Sequence, residues 1–168
     1  VFWRPNADFL AELSTYLEGK KVLEIFAGNG FLARQLQDRG IEVTATSLRM
    51  GHDAHFQGLH CDVLEMEASN AVFDYGRSSD VLLVCWPTVT DQLLAALTLW
   101  GFDKPVVYIG ETPRPELGMG GLSGCATDEF FEVIRWEREF EHYKGNMLEK
   151  AGVVYLDKMK LRQLYEQK

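Results

Sequence analysis

Predicted strands and helices alternate along this 168-residue chain, and this alternation predicts an α/β fold. The apolar run "DVLLVC" at Asp80–Cys85 is typical of a central strand that is buried on both faces of a sheet. The stretch "LEIFAGNGFLARQL" at Leu23–Leu36 passes from a buried-strand pattern through two glycines into an amphipathic helix. Together these observations predict a Rossmann-like layout, in which a doubly wound, mostly parallel sheet carries helices on both faces.

The elements of the first half follow from apolar spacing and from residues that end helices. Phe9, Leu10, Leu13 and Leu17 recur at helical spacing, and Gly40 closes the second helix. The predicted elements, in order, are a helix over Pro5–Leu17, a strand over Lys21–Ala27, a helix over Phe31–Asp38, a strand over Glu42–Leu48 and a short third strand near Leu59–Cys61.

The second half continues the alternation and then departs from it at a long loop. Thr112–Ala126 is rich in proline and glycine, which favours a connection without regular structure. The predicted elements are the Asp80–Cys85 strand, a helix over Asp91–Trp100, a strand over Pro105–Gly110, a helix over Thr127–Trp136 and two late strands near Glu139–Tyr143 and Val153–Leu156.

Composition restricts the classes of protein to consider. The 46% hydrophobic content is that of a globular domain, no apolar run reaches membrane-spanning length, and the first residues do not resemble a signal peptide, so we expect a cytoplasmic protein. The net charge of −8 makes extended duplex nucleic acid an improbable partner. Cys61, Cys85 and Cys125 lack metal-ligand spacing, so we expect reduced thiols and no metal site.

The two glycines after the first strand mark the candidate site. In such folds ligands bind beyond the carboxyl ends of the strands, where the first strand turns into the first helix. Gly28 and Gly30 would allow a tight turn and the close approach of a ligand to the backbone. An ordinary strand-to-helix turn is the structural alternative. Ala33 stands at the third glycine position of the dinucleotide fingerprint, which sometimes permits alanine, so an NAD-dependent oxidoreductase is a further alternative.

A carboxylate in the strand ahead of the glycines favours another class. The pattern acid-x-Gly-x-Gly-x-Gly falls on Glu24, Phe26, Gly28 and Gly30, with Phe26 in place of the first glycine. The sequence here resembles the class I S-adenosylmethionine-dependent methyltransferases, and "FAGNG" is similar to a form found in several nucleobase methyltransferases. The resemblance implies that Glu24 orients the methionine end of the cofactor, while the backbone from Phe26 through Ala27 to Gly30 passes beneath it.

Further positions follow in the order that this resemblance implies. Ser47 stands at the end of the second strand, where the family has an acid that accepts both ribose hydroxyls, and His52 or Asp53 could take that role instead. Asp62 and Val63 would lie near the adenine, with a surface turn as the alternative for Asp62. Cys85 would border the transferring methyl group, in place of the polar residue found in amino-methylating enzymes.

Two residues are the candidates for catalysis. Trp86 ends the fourth strand, where its flat face could stack on a planar acceptor, although core packing is an alternative. Glu111 ends the fifth strand at the same edge of the sheet, the rim formed by the carboxyl ends of the parallel strands. It is the first candidate for a general base, with His142 second. The glycines of Thr112–Ala126 would allow this loop to fold over the rim as a lid, with disorder as the alternative.

The leading interpretation is therefore a single methyltransferase-like domain over residues 1–168 that binds S-adenosylmethionine and methylates an unknown acceptor, a small molecule or a nucleobase. Residues 1–18 would form an N-terminal helix, 21–111 the cofactor-binding half, and 112–168 the lid loop and C-terminal half. Ser47 and Cys85 depart from the family pattern, which leaves a binding module without turnover as the alternative from another class.

Overall fold

The computed structural model describes residues 3–48, 58–118 and 124–167. The helices are α1 (Ala7–Leu17), α2 (Phe31–Gln37), α3 (Ala68–Tyr75), α4 (Gln92–Trp100), α5 (Asp128–Val133) and α6 (Lys158–Glu166). The strands are β1 (Lys21–Ile25), β2 (Glu42–Ser47), β3 (Val63–Glu65), β4 (Val81–Cys85), β5 (Val106–Glu111), β6 (Ile134–Glu139) and β7 (Glu149–Leu156). No helix within the described ranges is long and apolar enough to cross a membrane.

The strands form one mixed sheet, and its order determines where a ligand can bind. The order is β3-β2-β1-β4-β5-β7-β6. β1 to β5 pair in parallel, whereas β7 pairs antiparallel with both β5 and β6. The chain direction across the sheet reverses between β1 and β4. In open α/β sheets this reversal produces a crevice beyond the carboxyl ends of the two strands, and the glycine turn after β1 lies at that point.

Helices cover both faces of the sheet, which confirms the predicted doubly wound layout. On one face the buried side chains of β1, β2 and β4 pack with those of α1 and α2. On the other face the buried side chains of β1, β4 and β5 pack with those of α3, α4, α5 and α6. The central strands β4 and β5 are buried along almost their whole length, as their continuous apolar runs predict.

Side-chain caps determine where several helices begin. The Asn6 side chain accepts a hydrogen bond from the Phe9 N–H at 2.8 Å, so α1 starts at Ala7 instead of at Pro5. Asp157 caps α6 in the same way, through a 2.9 Å bond from the Lys160 N–H. Such caps satisfy the N–H groups that the first turn leaves unpaired.

Several predicted elements differ from the structure in the β2–β4 region. The third strand is Val63–Glu65, and the prediction near Leu59–Cys61 is wrong. The real strand has three residues at the sheet edge, of which only Val63 is buried, so it leaves almost no periodic signal. Helix α3, with small residues on its buried face, was not predicted.

The C-terminal part also differs. The helix predicted over Thr127–Trp136 ends at Val133, because the chain turns into β6 and Ile134 pairs with Leu156 of β7. The strand predicted near Glu139–Tyr143 is wrong, since β6 ends at Glu139. Helix α6 was not predicted either; its sequence is mostly charged and polar, with little apolar periodicity.

Candidate active site at the carboxyl ends of the strands

The two glycines of the turn are required for different reasons. Both have a positive φ, +61° for Gly28 and +81° for Gly30. A Cβ on Gly30 would lie 2.7 Å from the Cys61 Sγ and 2.9 Å from the Val63 Cγ2, so Gly30 is a packing requirement. A Cβ on Gly28 would meet no atom within 4 Å, and Gly28 is exposed. The space beside Gly28 is therefore open to a ligand.

Hydrogen bonds from β2 hold this turn in place. The Gly28 N–H donates to the Ser47 Oγ at 3.1 Å, and the Ala27 N–H donates to the Thr46 carbonyl at 3.0 Å. Thr46 in turn donates its hydroxyl to the Glu24 carbonyl at 2.9 Å. Phe26, at the start of the turn, has a φ of +58°, which is uncommon for a residue with a side chain. The turn is thus tied to β2 by two consecutive residues of that strand.

Ser47 lies where the sequence places it, but its hydroxyl is already engaged. The side chain is 9% exposed, and its oxygen accepts the Gly28 N–H. In this position Ser47 braces the glycine turn, and a direct bond to a ribose stays a prediction. The alternatives His52 and Asp53 lie outside the described residues.

Glu24 is a fully buried carboxyl group. Its side chain is 1% exposed, and its Oε2 has no hydrogen-bond partner among the described residues. Burial raises the pKa of Glu24 to about 8, because an apolar environment disfavours the charged form. A buried polar group without a partner is costly and uncommon, and it often marks a place where a ligand binds.

Two thiols lie close enough to Glu24 to interact with it electrostatically. Burial raises the pKa of Cys61 and raises that of Cys85 well above its ordinary value, and Glu24 raises both further. Cys61 comes from the segment before β3, and Cys85 ends β4. The structure therefore brings Glu24, Cys61 and Cys85 together, of which the sequence indicated only Glu24 and Cys85.

Trp86 follows β4 and is held by the backbone of the neighbouring strand. The backbone N–H of Trp86 donates to the Ile109 carbonyl at 2.7 Å, and the φ of Trp86 is +52°. The indole is half-buried and packs, like Phe26, against the core on the α3 to α6 face, whereas Cys85 packs on the α1 and α2 face. Trp86 thus contributes to the core, as the alternative for this residue proposed, and it also borders the rim.

Glu111 ends β5 on the same rim and is tied to the loop that follows. Its Oε2 accepts the Gly124 N–H at 2.8 Å, and its carbonyl accepts the Tyr108 hydroxyl at 2.6 Å. A Cβ on Gly124 would collide with this carboxylate. The Thr112 N–H donates to the Leu148 carbonyl at 2.8 Å, which anchors the other end of the loop. Residues 119–123, at the centre of the proposed lid, lie outside the described residues, so the lid stays a prediction.

The remaining predicted residues lie in different settings. Asp62 is exposed, and Val63 is buried beneath Gly30. His142 contacts α1. Its backbone N–H donates to the Glu12 carboxylate at 3.0 Å, and its ring Nδ1 lies 3.5 Å from the same carboxylate. Its position is therefore explained by the packing of α1 against the chain that follows β6.

An aromatic pair near the site was missed by the sequence analysis. The Trp3 Nε1 donates to the Tyr143 hydroxyl at 3.1 Å, and that hydroxyl donates to the Glu149 Oε1 at 2.7 Å. Burial and the bond to Glu149 raise the pKa of Tyr143, to which Cys85 also contributes. No local pattern could indicate this network, because its members are up to 146 positions apart in the chain.

The strand order, the antiparallel β7 and the glycine turn together define the fold of the class I S-adenosylmethionine-dependent methyltransferases. Comparison with solved structures supports this assignment. A single-residue variant of MtNAS in complex with S-adenosylmethionine superposes with a TM-score of 0.60 at 14% identity, over 88% of this chain and 58% of that one.

Two further structures give the same result. The mitomycin 7-O-methyltransferase MmcR matches with a TM-score of 0.55 at 13% identity, over 89% of this chain and 53% of its own. The CcbJ methyltransferase from Streptomyces caelestis matches with a TM-score of 0.54 at 14% identity, over 92% of this chain and 93% of its own. The chain thus spans little more than half of MtNAS and MmcR. No protein-family model and no curated protein sequence matches this chain. At these identities the likeness shows the fold alone.

Proposed function

We propose that this chain binds S-adenosylmethionine beyond the carboxyl ends of β1, β2 and β4 and transfers its methyl group to a small molecule or a nucleobase. The observation that carries the proposal is the buried Glu24 carboxyl group, whose Oε2 lacks a partner among the described residues at the point where the sheet order reverses. Neither a purely structural turn nor core packing requires a carboxyl group there.

The residues present fit this cofactor. Its methionine end carries an ammonium group, which a buried carboxylate can pair with and hydrogen-bond. The exposed backbone at Gly28 leaves space for the ligand to approach. Glu24 and Gly28 would hold the methionine end, and Asp62 and Val63 would border the adenine. Ser47 would keep the turn in the conformation that the ligand meets, through its bond to the Gly28 N–H.

When bound, the cofactor supplies a methyl group on a sulfonium, which a nucleophile can attack. The chain then has to align the acceptor with that methyl group and exclude water. Cys85 and Trp86, at the end of β4, would border the transferring methyl group, and the indole face offers a planar surface on which an acceptor could stack. Glu111 is the candidate proton acceptor, and its bond from the Gly124 N–H fixes the orientation of the carboxylate. Where the acceptor is already a strong nucleophile, Glu111 would act only in positioning.

The charges at the rim favour some acceptors over others. Asp62, Glu111 and Glu149 are acidic groups that end or flank the strands there, beside the basic Lys150, and the chain has a net charge of −8. A phosphate-rich acceptor would be repelled by such a surface. We therefore expect a neutral or cationic acceptor.

A binding module without turnover is the second candidate, and two observations favour it. The Ser47 hydroxyl is engaged by the turn, and one oxygen of Glu111 accepts the Gly124 N–H. If the Ser47 hydroxyl and the Glu111 carboxylate serve only to hold the turn and the loop, the site could bind a ligand but would lack a general base for transfer.

Binding and turnover measured separately distinguish these candidates. Calorimetric titration with S-adenosylmethionine, S-adenosylhomocysteine and NAD⁺ identifies the ligand, and methyl-labelled S-adenosylmethionine with panels of small amines, phenols, thiols and nucleosides tests transfer. The proposal expects binding of both adenosyl ligands and label in one panel. Binding without label in any panel would favour the module, and binding of NAD⁺ alone would favour the oxidoreductase.

A further inference from the structure

We infer that Glu24 selects for ligands that carry a positively charged group, because the carboxyl group gives up a proton when such a ligand binds. This inference rests on the proposed function and deepens it. It makes Glu24 a specificity-determining residue whose charge state differs between the free and the bound protein.

Glu24 lies in a buried environment that offers its carboxyl group no partner among the described residues. Glu24 is 1% exposed, its Oε2 has no hydrogen-bond partner in the described ranges, and no ion pair to Glu24 is present there. An ionised carboxylate without a partner is strongly disfavoured in an apolar environment, and such a group takes up a proton instead. Burial alone raises the pKa of Glu24 to about 8.

Among the described residues, thiols and apolar side chains surround Glu24. The Cys61 and Cys85 thiols, which burial keeps protonated and uncharged near neutral pH, lie in the same region, with the acidic Asp62 acting on Cys61 and the Cys125 thiol acting on Cys85. The side chains of α1 and α2 that pack on this face are apolar. The basic residue that acts on Cys61 is Arg34, which is half-exposed and paired with Asp38 at 2.9 Å. None of these described groups can neutralise an ionised Glu24.

The proton balance of binding follows from these surroundings. In the free protein the carboxyl group is neutral, with its O–H bond intact. When a ligand brings an ammonium group to the site, the O–H bond breaks, the proton passes to solvent, and the carboxylate is left paired with the ammonium. A ligand without a cationic group leaves the proton in place. Affinity for the cationic ligand should therefore rise by up to tenfold per pH unit on approach to pH 8.

The test counts protons by calorimetry. S-adenosylhomocysteine carries the ammonium group and is titrated at about pH 6.5 in two buffers that differ in ionisation enthalpy. The dependence of the observed heat on the buffer gives the number of protons released. We expect about one proton per ligand for the wild-type chain and none attributable to the protein for Glu24→Gln. Titration of the ligand's own amino group is the same with both proteins, so the difference isolates Glu24.

A second ligand makes the test independent of the variant. 5′-Methylthioadenosine keeps the adenosine and the sulfur but lacks the ammonium group, so it should bind to the wild-type chain without proton release. Binding of S-adenosylhomocysteine without proton release, or equal release with both ligands, would overturn this inference and leave the proposed function intact. Failure of S-adenosylhomocysteine to bind from pH 6 to pH 9 would overturn both.

Discussion

Replacing Glu24 by glutamine should make the free protein more stable above neutral pH. The substitution keeps the shape of the side chain and removes its ability to ionise. The folded chain holds the Glu24 proton up to pH about 8, whereas an ordinary glutamate loses it near 4.5. Between these values the folded state binds more protons than the unfolded state, so the contribution of Glu24 to stability falls as the pH rises.

The size of the effect follows from the shift in pKa. Each pKa unit corresponds to about 1.4 kcal/mol, so Glu24 costs the folded state up to about 5 kcal/mol once the pH exceeds 8. Structural relaxation and water entry reduce such costs, and a loss of a few kcal/mol is the working expectation. Near pH 5 the carboxyl group is neutral in the folded chain, and the cost is small.

Urea unfolding at pH 5, 6, 7 and 8 measures this directly. The free energy of unfolding of Glu24→Gln should nearly equal that of the wild type at pH 5 and exceed it increasingly towards pH 8. Glu65→Gln, at an exposed carboxylate of β3, is the matched control and should change stability by less than about 0.5 kcal/mol. A constant difference between Glu24→Gln and wild type from pH 5 to pH 8 would show that Glu24 does not titrate with a raised pKa in the folded chain.

Three further predictions concern the turn and the sheet. Gly28→Ala and Gly40→Ala each place a side chain at positive φ with open space around it, so each should lower the free energy of unfolding by about 1 kcal/mol. Only Gly28→Ala should weaken S-adenosylhomocysteine binding in calorimetry, and equal affinities of the two variants would contradict a ligand beside Gly28. Ser47→Ala leaves the Gly28 N–H without its acceptor and should cost about 1 kcal/mol in urea unfolding and lower the affinity, whereas unchanged values would show that the bond does not brace the turn. Gly152→Ala places a Cβ against the Arg138 carbonyl and 2.9 Å from the Trp136 ring, so it should lower the free energy of unfolding by about 1–3 kcal/mol without direct effect on the site. Wild-type stability would show that the bulged strand β6 can move away to accommodate the Cβ.

The parts of the fold that the sequence predicted are those where local pattern and burial agree. β4 and most of β5 are apolar runs, and α1 shows its core face at helical spacing. The predictions failed where long-range pairing overrides local preference. Ile134–Trp136 continues a helical pattern, yet pairing with β7 extends it into a strand.

The same division holds for the candidate site. Glu24, Gly28 and Gly30 form a short contiguous motif, so the sequence could indicate their role. Cys61 could not be recognised, because its importance comes from lying beneath Gly30, 31 positions away in the chain. The engagement of the Ser47 hydroxyl by the Gly28 N–H likewise depends on the distance between two loops, which no sequence pattern records.

A crystal structure of the chain with S-adenosylhomocysteine would show whether the ligand occupies the crevice beside Glu24 and Gly28. We predict that the ammonium group of the ligand lies beside the Glu24 carboxylate, directly or through one water, and that the methionine end lies over the exposed backbone of Gly28. A ligand bound elsewhere on the chain, or one bound in the crevice with Glu24 still buried away from its ammonium group, would contradict it.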